Sequence, residues 1–120
     1  MTIEQFYETI NGDYNEVLHR LVNERIVTKF VCKFLQDPTF FNLEEAILHQ
    51  QPEEAFIAAH TLKGVCLNLG FSQLGKEVAE LTELLRPKDD TITSSTVTQL
   101  FQSIQQNYHN IISAISQMNQ

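Results

Sequence analysis

Apolar residues recur at helical spacing along most of the chain, and this period restricts the fold more than any other feature. The segments at about 26–35, 71–86 and 97–115 each place aliphatic or aromatic side chains every three or four residues, as one buried helix face requires. No segment shows the alternation of a half-buried strand. Amphipathic helices with short connections bury their apolar stripes best against one another, so the sequence predicts an all-α, up-and-down helical bundle.

Capping and helix-breaking residues divide this pattern into separate helices. The residues predicted to cap, begin or end a helix are Thr2, Asn11-Gly12, Asp13, Asn23, Pro52, Gly70 and Arg86-Pro87. Asp37-Pro38 interrupts the helix that starts at Asn23, because proline disfavours helical backbone in the preceding residue and lacks an amide donor. The sequence leaves a kink and a break equally open. Residues 88–96 are predicted to form the longest exposed loop, and the polar tail from Gln117 is predicted to fray.

Between these boundaries, apolar positions define the helix faces expected in the core. They are Ile26, Val27, Phe30, Val31, Phe34 and Leu35, then Phe40, Leu43, Ile47 and Leu48, and later Leu74, Val78, Leu81, Leu84 and Leu85. Cys32 and Cys66 lie on apolar faces too. A free buried cysteine behaves as a small hydrophobe, so a disulfide or a metal-binding pair is the weaker interpretation.

Length and charge restrict the class of protein. The 120 residues, 42% of them apolar, suit one domain over residues 1–120. No apolar run approaches the ~20 residues needed to cross a bilayer, and the N-terminus lacks the features of a signal peptide, so a cytoplasmic location is expected. The net charge of −7 argues against nucleic acid or an anionic membrane as partner, because binding either one requires a basic patch.

One helix, expected to end at Gly70, places a histidine on its solvated face. At 100° per residue, its apolar stripe consists of Ala55, Ala59, Leu62, Cys66 and Leu69. The opposite side carries His60, Lys63, Gly64 and Leu67. His60 is therefore expected to point away from the core, where its imidazole can act as a nucleophile near neutral pH.

Two neighbours make this histidine unusual. Lys63, three residues further on, lies on the same helix face and can neutralise an anion bound at the imidazole. Gly64 costs the helix roughly 1 kcal/mol relative to alanine, and its missing side chain lowers the surface beside the ring. A bulky partner could therefore approach His60 closely.

These residues belong to a motif that ends in a glycine turn. The motif is His60-Thr61-Leu62-Lys63-Gly64 with Cys66 and Gly70, and the turn is Asn68-Leu69-Gly70-Phe71. Together with the helix before it and the leucine-rich helix after it, this stretch resembles the signature of the histidine-containing phosphotransfer (HPt) domain of bacterial phosphorelays. The resemblance covers most of the chain. It implies a single HPt domain, with a four-helix bundle over about residues 23–118 and short additional helices at about 2–21.

The resemblance also implies a function. His60 would accept a phosphoryl group from an aspartate of a response-regulator receiver domain and pass it to another receiver, with Lys63 supporting the phosphate and Gly64 giving access. The implied partners are receiver domains and a hybrid histidine kinase. In this family the magnesium ion and the acidic residues that run the chemistry belong to the receiver. The chain itself is therefore expected to be a phosphoryl carrier, usually monomeric, with no kinase activity, cofactor or metal site.

A docking face is expected around the histidine. Phe56 and Leu67 are predicted to lie exposed on the His60 side, as apolar groups of a transient protein interface. The helix at 71–86 is expected to add Thr82 or Arg86 at the rim. Many HPt domains carry an acidic residue near the position of Thr82, and its absence leaves the role of that helix open. The alternative for Phe56 and Leu67 is burial under a short N-terminal helix.

Two other functions stay open at this point. The first is an adaptor that binds a receiver or kinase domain through the same face without being phosphorylated. The second is a helical metal protein, which is weaker because the Glu-x-x-His spacing of di-iron bundles occurs at Glu16 and His19 without a matching pair. The short helices at 2–21 resemble those of small stand-alone bacterial HPt proteins, and they favour a free-standing protein over a module of a hybrid kinase.

Overall fold

A computed structural model describes residues 1–118 of the chain, and this part is built from α-helices joined by short connections. The helices are α1 (Ile3–Thr9), α2 (Tyr14–Leu21), α3 (Glu24–Lys33), α4 (Thr39–Leu48), α5 (Pro52–Leu69), α6 (Ser72–Leu85) and α7 (Ser95–Met118). Residues 1–118 contain no strand, so the predicted all-α class is confirmed. None of these helices combines the length and apolar character that a bilayer crossing requires.

The helix ends follow the local chemistry of the sequence. The side chains of Thr2, Asp13 and Asn23 accept hydrogen bonds from the first turns of α1, α2 and α3, which satisfies amide donors that a helix start leaves free. Pro52 occupies the first turn of α5, and Gly70 ends that helix in the left-handed conformation, with φ of 68°. The boundaries predicted at these residues are confirmed.

The interruption at Asp37-Pro38 is a break. Helix α3 ends at Lys33, a short 3-10 helix covers Phe34–Gln36, and Asp37 is extended. The carboxylate of Asp37 then accepts a hydrogen bond from the Thr39 amide at 2.8 Å and so begins α4. Both helices face α5, with α4 in extensive contact with it and α3 near its C-terminal end.

The segment after α6 is more ordered than predicted. Residues Asp90–Thr93 form a short 3-10 helix, and Ile92 is only 5% exposed. The prediction of a long exposed loop over 88–96 was therefore wrong in its centre, because one apolar residue anchors the segment to the core. Ser94 caps α7 through a hydrogen bond from the Val97 amide. Helix α7 includes Gln117 and residue 118, and the remainder of the predicted frayed tail lies outside the described residues.

Three apolar residues predicted on core faces are exposed instead. Ile26 and Phe30 on α3 are 36% and 43% exposed, and Leu48 at the end of α4 is 69% exposed. Their neighbours on the same faces, Val27 and Val31, are fully buried. The period therefore marked the right helices, but α3 is covered only along the side of Val27 and Val31, and α4 is open at its last residue.

Helix α5 lies between α4 and α6, which leaves one of its faces open. The approach of α6 is close, because a Cβ added at Gly75 would lie 3.1 Å from the Cβ of Cys66. Helix α7 packs against α6 and reaches α4, where the rings of Phe40 and Tyr108 stack with centroids 3.8 Å apart. Hydrogen bonds also join α7 to its neighbours, from Gln105 to Glu44 and from Ser103 and Asn107 to Glu77.

The N-terminal helices close the C-terminal end of α5. The Tyr7 hydroxyl donates to the carbonyl of Leu69 at 2.6 Å, and the Asp13 amide donates to the carbonyl of Gly70 at 2.9 Å. Arg20 of α2 donates to the carbonyls of Leu67 and Asn68 at 3.1 and 2.8 Å. Carbonyl groups that a helix end leaves without partners are therefore satisfied from α1 and α2.

Replacing Tyr7 with Phe is expected to lower the free energy of unfolding by about 1–2 kcal/mol, because the buried carbonyl of Leu69 loses its donor. The ring, which is 1% exposed, keeps its packing. Urea denaturation measures the change. Tyr14→Phe is the matched control, since the Tyr14 hydroxyl makes no hydrogen bond within residues 1–118. Equal stability of Tyr7→Phe and the wild type would contradict this role.

Candidate functional site

His60 lies in the middle of α5 on the face that neither α4 nor α6 covers, and its side chain is exposed. The opposite side of the helix is the core. The residues buried there are Ala55, Ala58, Ala59, Leu62, Cys66 and Leu69. The structure has the orientation expected from the helical period. The small alanines allow neighbouring helices to pack closely on this side of α5, and its polar side therefore faces outward.

An aromatic ring supports the imidazole of His60 from one turn earlier in α5. The rings of Phe56 and His60 are nearly parallel, at an angle of 11°, with centroids 6.1 Å apart. Two cations lie over the Phe56 ring. The guanidinium carbon of Arg86 is 5.2 Å and the Nζ of Lys88 is 4.8 Å from the ring centroid, within the range of cation–π attraction.

Phe56 is therefore half-buried, and its predicted exposure was wrong. The ring is covered by the two cations that follow α6, Arg86 and Lys88. The alternative expected from the sequence was cover by a short N-terminal helix. The contact brings Arg86 and Lys88 to the edge of the His60 face. Lys88 was missed because its place in a polar segment after a proline gave no sign that the segment folds back over α5.

Lys63 supplies a further positive charge on the same face. It lies half-buried one turn after His60 and makes no ion pair within residues 1–118. Glu83 of α6 is nearby, but its carboxylate is bonded to Arg86 at 2.8 Å. The hydrogen bond from Arg86, assisted by the positive charges of Arg86 and Lys63, holds the pKa of Glu83 below its usual value. The ammonium of Lys63 is therefore available to an anion at the imidazole.

Gly64 is not required by the packing of this chain. A Cβ added at this position would meet nothing within 4 Å. A glycine inside a helix costs about 1 kcal/mol relative to alanine, and no neighbouring side chain or backbone explains that cost. What the missing side chain does provide is open space beside His60.

Two large apolar side chains stand out from this face. Leu67 is 66% exposed, as predicted, and Ile57 is 62% exposed. Ile57 was missed by the sequence reasoning, although its position three residues before His60 puts both on one side of the helix. Apolar groups of this size on either side of a polar centre suit a surface that a second protein covers.

Thr82 does not lie at the rim of this face, and that prediction was wrong. Its side chain is fully buried, and its hydroxyl donates to the carbonyl of Val78 at 2.7 Å. Thr82 is one turn after Val78 on the core side of α6, and its local hydrogen bond removes the cost of burying a hydroxyl. Arg86, the other rim residue predicted, is exposed beside Phe56.

Other chemistry-bearing residues form no second site in residues 1–118. No group of three or more His, Cys, Asp or Glu side chains is close enough to hold a metal ion there. His49 pairs with Glu45 at 3.0 Å as helix neighbours. Burial raises the pKa of the Cys66 thiol to about 12, so this cysteine is unreactive at neutral pH and serves packing, as expected.

Comparisons with known proteins bear on the region that contains this face. The model of the Hpt domain family matches residues 39–117, from the start of α4 into the last turn of α7, and so includes every residue of the His60 face. Helices α1 to α3 lie outside the match. No curated protein and no solved structure shows a significant match to the chain.

Proposed function

The chain belongs to the Hpt domain family, and on that premise we propose that His60 is its phosphoryl-accepting residue in a two-component phosphorelay. Hpt domains are phosphoryl carriers and do not act as kinases. The donor would be an aspartyl phosphate on a response-regulator receiver domain or hybrid histidine kinase, and the acceptor a second receiver. The observation that carries the proposal lies in the matched region: the exposed imidazole of His60 stands beside open space at Gly64 that the packing of the chain does not require.

The proposed reaction needs few groups from this chain. An unprotonated ring nitrogen of His60 attacks the phosphorus in line, the nitrogen–phosphorus bond forms, and the bond to the aspartyl oxygen breaks to release a carboxylate. Positioning and charge supply most of the catalysis in such transfers. The magnesium ion would belong to the receiver. The reverse sequence of steps would deliver the group to the next receiver.

Three features of the His60 face support this role. The free ammonium of Lys63 can offset the charge of the transferred group, as fixed cations do at phosphoryl-transfer sites. Stacking on Phe56 restricts the rotation of the His60 ring, and a restricted nucleophile loses less entropy when it reacts. The gap at Gly64 leaves room for the loops of a partner domain.

We further propose that a receiver docks over the apolar residues on this face, Ile57 and Leu67, with Arg86 at the edge. Burial of both side chains would contribute hydrophobic free energy. Lys88, which makes no ion pair within residues 1–118, would meet negative charge. Within this proposal, the up-and-down four-helix bundle of the family has α3 and α4 together as its first member and α5, α6 and α7 as the other three.

The test is incubation of the purified chain with a phosphorylated receiver domain and magnesium. We expect the chain to acquire label that survives alkali and is lost in acid, as phosphohistidine does and an acyl phosphate does not. A set of cognate receivers that bind the chain but transfer nothing would overturn the proposal and favour an adaptor.

A further inference from the structure

An open groove runs between α5 and α6 directly beside Lys63. It has a volume of about 670 Å³, and its lining includes Arg20, Lys63, Leu67, Gly75, Lys76 and Ala79. Gly75 has no side chain and Ala79 has only a methyl group, so no long side chain of α6 rises at these two positions of the groove. The groove is therefore a concave surface that starts one helical turn from His60.

The groove carries positive charge on a chain whose net charge is −7. Neither Lys63 nor Lys76 makes an ion pair in the described part of the chain. The acidic residues at the far end are engaged, since Asp13 caps α2 at 3.1 Å and Glu16 pairs with Arg20 at 3.1 Å. Three basic and two acidic side chains line the groove, so its lining carries one net positive charge. The basic groups without an ion pair are the two lysines.

One wall of the groove comes from the N-terminal helices, outside the residues that the Hpt family matches. Arg20 of α2 bonds to the carbonyls of Leu67 and Asn68. These bonds fix α2 across the end of α5 and close the groove at that end. Its shape thus depends on residues that the family match does not include.

A partner centred on His60 would reach this groove. A standard interface buries about 800 Å² on each protein, equivalent to a disc about 16 Å in radius. Leu67 is seven residues beyond His60, or about 10 Å along the helix axis at 1.5 Å per residue. A receiver whose interface is of ordinary size and centred on the imidazole would therefore cover Leu67 and reach the adjoining groove.

We propose that this groove is a docking subsite for the receiver domain, and that it takes an acidic segment of the receiver surface. The inference rests on the function proposed for His60. Two lysines without an ion pair lie in this concavity beside the His60 face, and carboxylates on a receiver surface would complement them. Against the overall charge of −7, this local field would steer the partner's approach and set its orientation.

The first test is Lys76→Glu, compared with Lys29→Glu on the exposed side of α3. Both variants change the net charge equally, but only the first alters the groove. With a receiver that phosphorylates the wild type, we expect Lys76→Glu to lower the second-order transfer rate constant by about tenfold at low salt, with a smaller loss at high salt. At saturating receiver the rate should return towards that of the wild type, while Lys29→Glu should stay close to the wild type throughout.

Each other result of this test overturns the docking subsite. Equal losses in both variants would assign the effect to net charge. A loss in Lys76→Glu that persists at saturating receiver would assign the lysine to the chemical step. A dimer that light scattering detects and that Lys76→Glu dissociates would show a second copy in the groove. Absence of transfer to the wild type from every receiver would instead count against the proposed function.

The second test fills the groove without removing a charge. Ala79→Gln adds a flexible side chain at a half-exposed helical position, where glutamine is tolerated at little cost in helix propensity. We expect thermal unfolding close to that of the wild type and at least about a tenfold loss of transfer at low receiver concentration, because the partner must displace the new side chain. Unchanged transfer from a folded variant would rule out occupation of the groove.

Discussion

His60→Gln is expected to abolish the transfer of phosphoryl label to the chain while leaving its thermal unfolding unchanged. Glutamine has no nucleophilic nitrogen, so the nitrogen–phosphorus bond cannot form. The fold should tolerate the change, because the imidazole is exposed and surface substitutions usually alter stability by less than about 0.5 kcal/mol. Label transfer from a phosphorylated receiver and a melting curve on the same preparation provide the two measurements.

The matched control is His19→Gln on α2, which replaces another exposed histidine by the same residue. It should accept label like the wild type. If His60→Gln still acquired acid-labile, alkali-stable label, another histidine would be the acceptor. If it melted well below the wild type, the imidazole would have a structural role that its exposure does not predict.

Gly64→Gln is expected to keep or raise the stability of the fold while it lowers phosphoryl transfer. The Cβ of the new side chain would meet nothing within 4 Å, and a glycine replaced inside a helix recovers up to about 1 kcal/mol. The free energy of unfolding should therefore rise or stay level. Phosphoryl transfer from a receiver should fall by about a hundredfold or more, because the side chain occupies the space that the partner needs beside His60.

Gly64→Ala provides the graded comparison. It stabilises the helix at least as much as glutamine does and adds only one methyl group, so its transfer rate should lie between those of the wild type and Gly64→Gln. Quenched time courses of phosphoryl transfer measure the rate, and urea denaturation measures the free energy of unfolding. Normal transfer to Gly64→Gln would show that the open space at this glycine is not used by the partner.

The parts of the fold that could be predicted depend on local chemistry. Thr2, Asp13, Asn23 and Gly70 act within one turn of their own helix ends, so a single sequence is sufficient to place them. The outward orientation of His60 follows from the helical period in the same way. The roles of His60, Lys63 and Gly64 stay predictions, since they depend on a partner.

The parts that could not be predicted depend on neighbours distant in sequence. The half-burial of Phe56 is caused by Arg86 and Lys88, which approach it only after α6 has folded back along α5. Thr82 is an exception, because its burial follows from its place on the apolar stripe of α6 between Val78 and Leu85, which its polar side chain concealed. Ile92 is a single apolar residue in a polar segment, and one residue cannot produce a helical period.

The anchoring of α5 by Tyr7, Asp13 and Arg20 has a consequence for how phosphorylation would be sensed. A helix whose last carbonyl groups are bound by two other helices resists rotation and fraying, so a phosphoryl group on its surface has no loose end to reorder. The two states of the carrier would then differ in electrostatic potential and hardly at all in backbone coordinates. A downstream protein would have to discriminate between them by charge, and backbone amide chemical shifts should change only within a few residues of the modified ring.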